Sequence, residues 1–379
     1  MSTILFVTWD GGGNVPPALG IAVELQRRGH EVRVMGHPTQ QSAVDASGLS
    51  FLPFSTAHEY DSRADNSPFT LLSVFGDRAM GRDVIAELET RPADLVVVDC
   101  LLWGPMEALA AAKIPYAALE HVFDEYFTRK WLRGPMGIGI AIKRFRAKRI
   151  LDQAEVRLVA SLPQLDPAAT KPLPTNVRYT GPVVTGSPAN ADTPTVLVSL
   201  STVSFPGMAE VMQNVLDALG TLDVHGIVTT GPALDPSALR PPPNAELHQF
   251  VPHGEVLPRV TLVVGHGGHA TTMAALAHHV PLIVLPLHPM LDQAMVGGAV
   301  EAAGAGRLLA KKAKPAQIAE AMTDLLADGP HHSAAANLGL AIRDAKGAAT
   351  AADVIESLIN QDAKRGSARH VDTEEDEQA

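Results

Sequence analysis

The sequence predicts an α/β chain with two doubly wound domains facing each other across a cleft. Three observations carry this. First, short and largely apolar runs such as Ile4–Trp9, Leu95–Asp99, Tyr116–Leu119 and Val196–Leu200 alternate with segments of helical period. Such runs suit parallel strands covered by helices on both faces. Second, the alternation stops at a proline- and glycine-rich stretch, Leu162–Thr195, and then restarts; that is linker composition. Third, glycines follow two of the apolar runs, at 11–13 and 267–268. Ligands of open parallel sheets bind just there, beyond the carboxyl ends of the strands.

The elements follow in order. Ile4–Trp9 is the first strand. Val15–Arg28 has helical period, and Gly29 stands where a left-handed residue closes a helix. Glu31–Met35 is the next strand, and residues 55–80 lack a period and read as a loop with short helices. Leu95–Asp99 and Tyr116–Leu119 flank an alanine-rich helix, and Ile138–Gln153 reads as one long basic helix. Val196–Leu200 opens the second half. The domains are therefore expected at 1–185 and 186–360, the last helix being a candidate to return to the first domain. Residues 361–379 end in Glu-Glu-Asp-Glu-Gln-Ala and read as a disordered acidic tail.

Composition narrows the class. With 379 residues the chain can bury two cores, and 46% hydrophobic against 19% charged residues marks a globular protein. A net charge of -11 argues against a nucleic-acid partner. The single cysteine, Cys100, fits a reducing compartment. No apolar run reaches the length of a membrane span, and the first residues lack the basic region of a signal peptide. A cytoplasmic location is expected.

The most informative stretch runs from Val264 through His266-Gly-Gly-His-Ala-Thr271 to Val280-Pro281, and then to Asp292-Gln293. It reads as strand, turn, helix, strand and acidic loop. Free backbone N–H groups at the helix start suit a phosphate. The Asp-Gln pair offers acceptors and donors to a polyhydroxylated group.

These residues resemble the donor half of GT-B glycosyltransferases, in particular the bacterial relatives of plant and antibiotic glycosyltransferases. The turn at 266–271 is similar to that family's His-Gly-Gly-x-Gly-Thr, and Val280-Pro281 and Asp292-Gln293 follow as in the family. Phe250-Val-Pro-His253 resembles its Trp-x-Pro-Gln segment, Val198-Ser-Leu-Ser-Thr202 its phosphate-side loop, and 173–181 the segment before its interdomain linker. The resemblance implies two Rossmann-like domains and a nucleotide-sugar co-substrate, a UDP- or TDP-hexose, with no further cofactor and no essential metal. It implies inversion at the anomeric carbon and transfer to a small, largely apolar acceptor. His266 and Thr271, with the backbone of Gly267, Gly268, His269 and Ala270, would hold the diphosphate. Ser201 and Thr202 would lie on its other side. Phe250, with Val251 and His253 beside it, would face the base, although Phe250 also reads as plain core. Asp292 and Gln293 would bind the sugar hydroxyls. Ala270 stands where the family has glycine, which is expected to disfavour a positive φ.

On the acceptor side the turn is Asp10-Gly-Gly-Gly-Asn-Val-Pro-Pro17. Counting back from Pro17 places Asn14 where the family carries its histidine base. An asparagine cannot take a proton in the useful range. Three outcomes stay open: the base comes from elsewhere, the acceptor needs none, or activity is lost. Asp10, Asp99, His121 and Asp124 are the candidate bases, each also readable as a loop residue or a cap. The basic segment Lys143–Arg149, with Trp131, Met136 and Ile138–Ile142 just upstream, reads as a solvated helix face, as an acceptor lid or as a weak contact with anionic lipid. Two other functions are weighed on the same architecture: a nucleotide-sugar 2-epimerase, and a non-catalytic partner that binds a nucleotide sugar.

Overall fold

A computed structural model describes the backbone of residues 1–62, 67–232, 234–327 and 329–376, with side chains as far as 361. Seven strands form the first sheet: β1 Thr3–Val7, β2 Glu31–Gly36, β3 Ser50–Pro53, β4 Leu95–Asp99, β5 Tyr116–Glu120, β6 Val156–Val159 and β7 Val177–Tyr179. Six form the second: β8 Thr195–Ser199, β9 His225–Thr229, β10 Ala245–His248, β11 Leu262–Gly265, β12 Leu282–Val284 and β13 Gly306–Leu308. All pairs are parallel, in the orders β3-β2-β1-β4-β5-β6-β7 and β10-β9-β8-β11-β12-β13. Strand order thus reverses between β1 and β4 in one sheet, and between β8 and β11 in the other.

The strand sequences explain their placement. Leu95–Asp99 reads Leu-Val-Val-Val-Asp and is buried throughout, as β-branched residues packed from both faces should be. The outer face of the first sheet packs on helix Val15–Arg27 and the final helix through Leu19, Ile21, Leu25, Ala351, Ala352 and Ile355. Arg28 reaches that final helix at Asp353 and Glu356, at 2.6 and 2.7 Å. The outer face of the second sheet packs on helices Met208–Leu219 and Pro315–Leu326. One cluster runs through both domains, from Trp9 and Phe127 to Val263 and Met273.

Several expectations need correction. The first strand ends at Val7, and Thr8 and Trp9 begin the turn. Within 55–80, Pro68–Phe75 is a full helix capped by the Ser67 hydroxyl, and Arg78 opens another; residues 63–66 lie outside the described residues. The basic segment is two helices, Pro135–Ile142 and Ala147–Gln153. Arg144 between them takes φ +69°, a left-handed conformation that a continuing helix cannot accommodate. Gly29 does close the first helix, at φ +89°. The final helix has the bounds Gly347–Asp376; residues 377–379 lie outside the described residues.

Candidate active site

The ends of β1, β4, β8 and β11 meet at the two points of strand reversal, and a cavity of about 830 Å³ lies between them. Its walls include the turn Gly11–Asn14 and His121 from the first domain. From the second come Ser199–Thr202, Phe250, Val251, His253, His266, Gly268–Thr271, Asp292 and Gln293. Residues far apart in sequence are therefore gathered on one space. Tyr126 Oη donates to the Met290 carbonyl across it at 2.6 Å.

The donor wall is built mainly from backbone. After β11 the chain turns at Gly267, whose φ is +86°. A Cβ there would lie 2.6 Å from the Gln293 carbonyl oxygen and 2.8 Å from Val284 Cγ1, so glycine is required on both counts. Helix His269–Ala277 then starts with no side-chain cap. Its first-turn N–H groups border the cavity with nothing to satisfy them from within the helix. Ala270 sits inside this helix rather than at a positive φ. The absence of the family's glycine there carries no backbone strain, and the expected penalty falls away.

Side chains complete this wall. Burial holds the imidazoles of His266 and His269 down to about 4, so both are neutral at physiological pH. His269 meets Phe123 edge-on, with centroids 5.2 Å apart. Gln293 Oε1 accepts from the backbone N–H of Leu287 and His288 at 2.7 and 3.0 Å. That fixes the loop and leaves its Nε2 donor for the cavity. Asp292 is pushed up to about 6 by burial, against the pull of His121. His253 Nε2 lies 3.1 Å from Ser199 Oγ, and Ser201 Oγ accepts from Val203 N at 3.0 Å. Phe250 is 73% exposed on the cavity wall, so the plain-core reading fails: its ring has a free face.

The acceptor wall is built from side chains. Asn14 is buried, and its Nδ2 donates to Asp99 Oδ2 at 2.9 Å, to the Trp9 carbonyl at 3.0 Å and to Thr8 Oγ1 at 3.3 Å. The Asp99 Oδ1 accepts from Leu101 N at 3.0 Å. His121, from the end of β5, brings Nδ1 to 3.3 Å from Asp99 Oδ2, close but too far out of line for a formed hydrogen bond. Burial alone would lower its pKa; Asp99 beside it, helped by the charge of Asp292, more than offsets this, and the net shift is upward. Asp99, Cys100 and His121 bring candidate ligand atoms within 4.8 Å of one another. Both Asp99 oxygens are already engaged, and burial holds the Cys100 thiol well above its usual range, which disfavours the thiolate that a metal would need.

The other candidate bases do not reach this space. Asp10 faces a separate surface hollow, where its Oδ2 accepts from Thr39 Oγ1 at 2.9 Å. Asp124 is paired with Arg157 behind the sheet, in a buried network with Glu120.

Aromatic residues line the rest of the cavity: Trp9, Phe75, Tyr126 and Phe127, which sequence reasoning passes over, and Trp131, which it sets beside a possible acceptor lid. Trp9 and Phe75 meet edge-on at 4.8 Å. One wide helical turn, Tyr126–Trp131, brings three of the five to the cavity. The signal was present as Tyr126-Phe127 followed by Trp131 in a chain with only 4% aromatic residues.

Comparison with known proteins agrees with this geometry. Residues 213–360 match the family model "Erythromycin biosynthesis protein CIII-like, C-terminal domain". Along 94% of its length the chain is 26% identical to 4'-demethylrebeccamycin synthase from Lentzea aerocolonigenes, covering 99% of that protein. It is 22% identical to the UDP-glucosyltransferase YojK of Bacillus subtilis, over 97% of this chain and all of the other. The crystal structure of CalG4, the calicheamicin glycosyltransferase, superimposes with a TM-score of 0.78 at 25% identity, over 95% of this chain and 98% of that one. The chain is a GT-B glycosyltransferase. Its two sheets of seven and six strands are the two Rossmann-like domains of that fold. In this glycosyltransferase His121 and Asn14 both stand against Asp99.

Proposed function

We propose that this glycosyltransferase moves a hexose from a UDP- or TDP-sugar to a hydroxyl of a small, flat, apolar acceptor, with inversion and with His121 as the base. One observation carries the reading. Residues that line this cavity from both domains carry buried polar atoms without a partner: Asn14 Oδ1, His266 Nδ1 and Asp292 Oδ2. Leaving such atoms unpaired costs on the order of 1–3 kcal/mol each, and a bound polyhydroxylated, charged ligand would satisfy them. The sequence relatives, 4'-demethylrebeccamycin synthase and an NDP-glycosyltransferase among them, support the substrate classes.

The chemistry follows from where charge develops. As the bond from the anomeric carbon to the diphosphate breaks, the leaving oxygen gains negative charge. The uncapped N–H groups at the start of helix His269–Ala277 and the neutral His266 stabilise it without reorganising. The acceptor oxygen forms its bond to the anomeric carbon from the opposite face and loses its proton to His121 Nε2. Asp99 holds the Nδ1–H, fixing the tautomer and steadying the imidazolium that forms. Asn14 anchors Asp99 in place. Its free Oδ1 can accept from the acceptor hydroxyl and so orient it. The aromatic walls select a flat, apolar acceptor.

The test is incubation of the enzyme with UDP- and TDP-hexoses and a panel of phenolic and polyketide alcohols, read by mass spectrometry. A product heavier by one hexosyl unit, of inverted anomeric configuration by NMR, is expected. Binding of the nucleotide sugars with no product across the panel would overturn the reading.

A further inference from the structure

The face beside the acceptor mouth carries a feature that glycosyl transfer does not use. Helices Pro68–Phe75 and Pro135–Ile142 contain no charged residue. They touch where Leu72 lies against Gly139; a Cβ at Gly139 would be 2.6 Å from Leu72 Cδ2. Within a turn or so of that contact, Phe69 is 83%, Ile142 76% and Ile138 56% exposed. These three account for much of the large apolar side-chain exposure on the described surface outside the cleft. A cluster of this kind marks an interaction surface.

The chain on both sides of helix Pro135–Ile142 is rich in cations. Between residues 126 and 151 stand Arg129, Lys130, Arg133, Lys143, Arg144, Arg146, Lys148 and Arg149, and no aspartate or glutamate, in a chain of net charge -11. Lys148 pairs with Asp152 at 2.5 Å and Arg129 with Glu125 at 3.6 Å. Among the described residues no carboxylate lies within ion-pair distance of Lys130, Arg133, Arg144, Arg146 or Arg149. The turn between the two short helices is pinned: Phe145 is buried under the Arg78 guanidinium, 4.1 Å from its ring centroid, and Arg78 Nη2 donates to the Lys143 carbonyl at 3.1 Å. Arg144 and Arg146, on either side of the anchored Phe145, are exposed.

We propose that this face docks on an anionic bilayer surface, with Phe69, Ile138 and Ile142 entering the interface and the arginines and lysines contacting lipid phosphates. Local positive charge on an acidic protein is the complement of such a surface. Apolar side chains framed by cations are the pattern of helices that lie in the interface plane. Among the described residues no helix is long and apolar enough to cross a membrane, so the attachment is peripheral. Pro68, Leu71 and Met136, on these same helices, line the cavity. An apolar acceptor dissolved in the bilayer would therefore enter the site along a continuous apolar rim. Only this last step rests on the proposed transfer reaction; the docking itself does not.

The experiment is vesicle sedimentation of the full chain without donor or acceptor. Vesicles of phosphatidylcholine with 30% phosphatidylglycerol are compared with phosphatidylcholine alone, at low salt and in 0.5 M salt. Binding to the anionic vesicles is expected at low salt, with release at high salt and little binding to the neutral ones. The variant R144E/R149E should bind at least roughly 25-fold more weakly, at about fivefold per cation removed. F69S/I142S should also bind more weakly, roughly threefold or more, from lost apolar burial. Both variants should keep the wild-type circular dichroism spectrum and thermal denaturation midpoint, which shows that they fold. No binding of the wild type to anionic vesicles at low salt, or equal binding to both compositions, overturns the proposal. So does wild-type binding by a folded R144E/R149E. Because no turnover enters the sedimentation, failure of the transfer reading would leave this result intact.

Discussion

At the two points of strand reversal the chain does the same thing: a parallel strand ends, glycines turn the chain and a helix begins. The two sites are nevertheless made of different material. Beyond β11 the ligand-facing groups are backbone N–H donors placed by Gly267 and the uncapped helix start, with neutral histidines beside them. Beyond β1 they are the side chains of Asn14 and His121, from separate strand ends, which flank Asp99. A diphosphate is the same in every donor, so a backbone cradle serves it. An acceptor hydroxyl must be oriented and deprotonated, which is side-chain chemistry and can be rebuilt from a different strand. Under the proposed mechanism Asn14 illustrates this freedom: it anchors the carboxylate of Asp99, and the imidazole arrives from the end of β5.

The sharpest way to break this contrast is His121→Ala. It should lower kcat by about 10²–10⁴-fold while leaving nucleotide affinity, measured by calorimetry, near wild type. Adding Asn14→His to that variant should restore part of the rate, because the new imidazole would sit against the same Asp99. Recovery would show that the site needs a histidine beside Asp99 and tolerates either origin. Full activity in His121→Ala alone would falsify the base assignment.

On the donor side Gly267→Ala should act in the opposite way. The added Cβ meets the Gln293 carbonyl and forces a strained φ, at a cost of about 1–3 kcal/mol. Nucleotide affinity and thermal stability should both fall, read by calorimetry and thermal denaturation. An unchanged Kd for the nucleoside diphosphate would remove the backbone cradle from the account. Phe250→Ala tests the exposed ring. Stacking on a base is worth about 1–3 kcal/mol, and the lower end, roughly fivefold in donor Kd, is expected for a ring this open.

The smallest effect is one of pH. His121 must be neutral to act, so the rate falls as pH drops through its pKa. Asp99 raises that pKa, and in Asp99→Asn the support is lost and burial alone remains. The acid limb of kcat/KM should therefore move to lower pH, together with a reduced plateau. Asp292, pushed up to about 6, titrates near the same range, so the limb belongs to the facing pair rather than to one group. Removing its charge in Asp292→Asn should shift the limb in the same direction as Asp99→Asn. A shift toward higher pH in either variant would contradict the electrostatics.

The sequence by itself determined the backbone half of this protein. Uniformly apolar runs such as Leu-Val-Val-Val can only be parallel strands buried on both faces. The glycines after them mark where the chain must turn closely, and the proline-rich stretch marks where one sheet gives way to the next. These are local rules, and the turn at Gly267 and the helix start after it, being made of backbone, were legible through them. Even there, context overruled one: Ala270 was judged by the family's glycine, but it lies within a helix. The acceptor half was decided only by the tertiary structure. Asp10 and His121 were equally eligible in sequence, each polar and near a strand end. Their fates depend on which way a turn points after β1 and on how β5 sits beside β4. The aromatic walls and the apolar, cationic face beside them were likewise scattered through the chain until packing of two short helices and one wide turn brought them together. Pairings over such separations leave no period for a sequence to show.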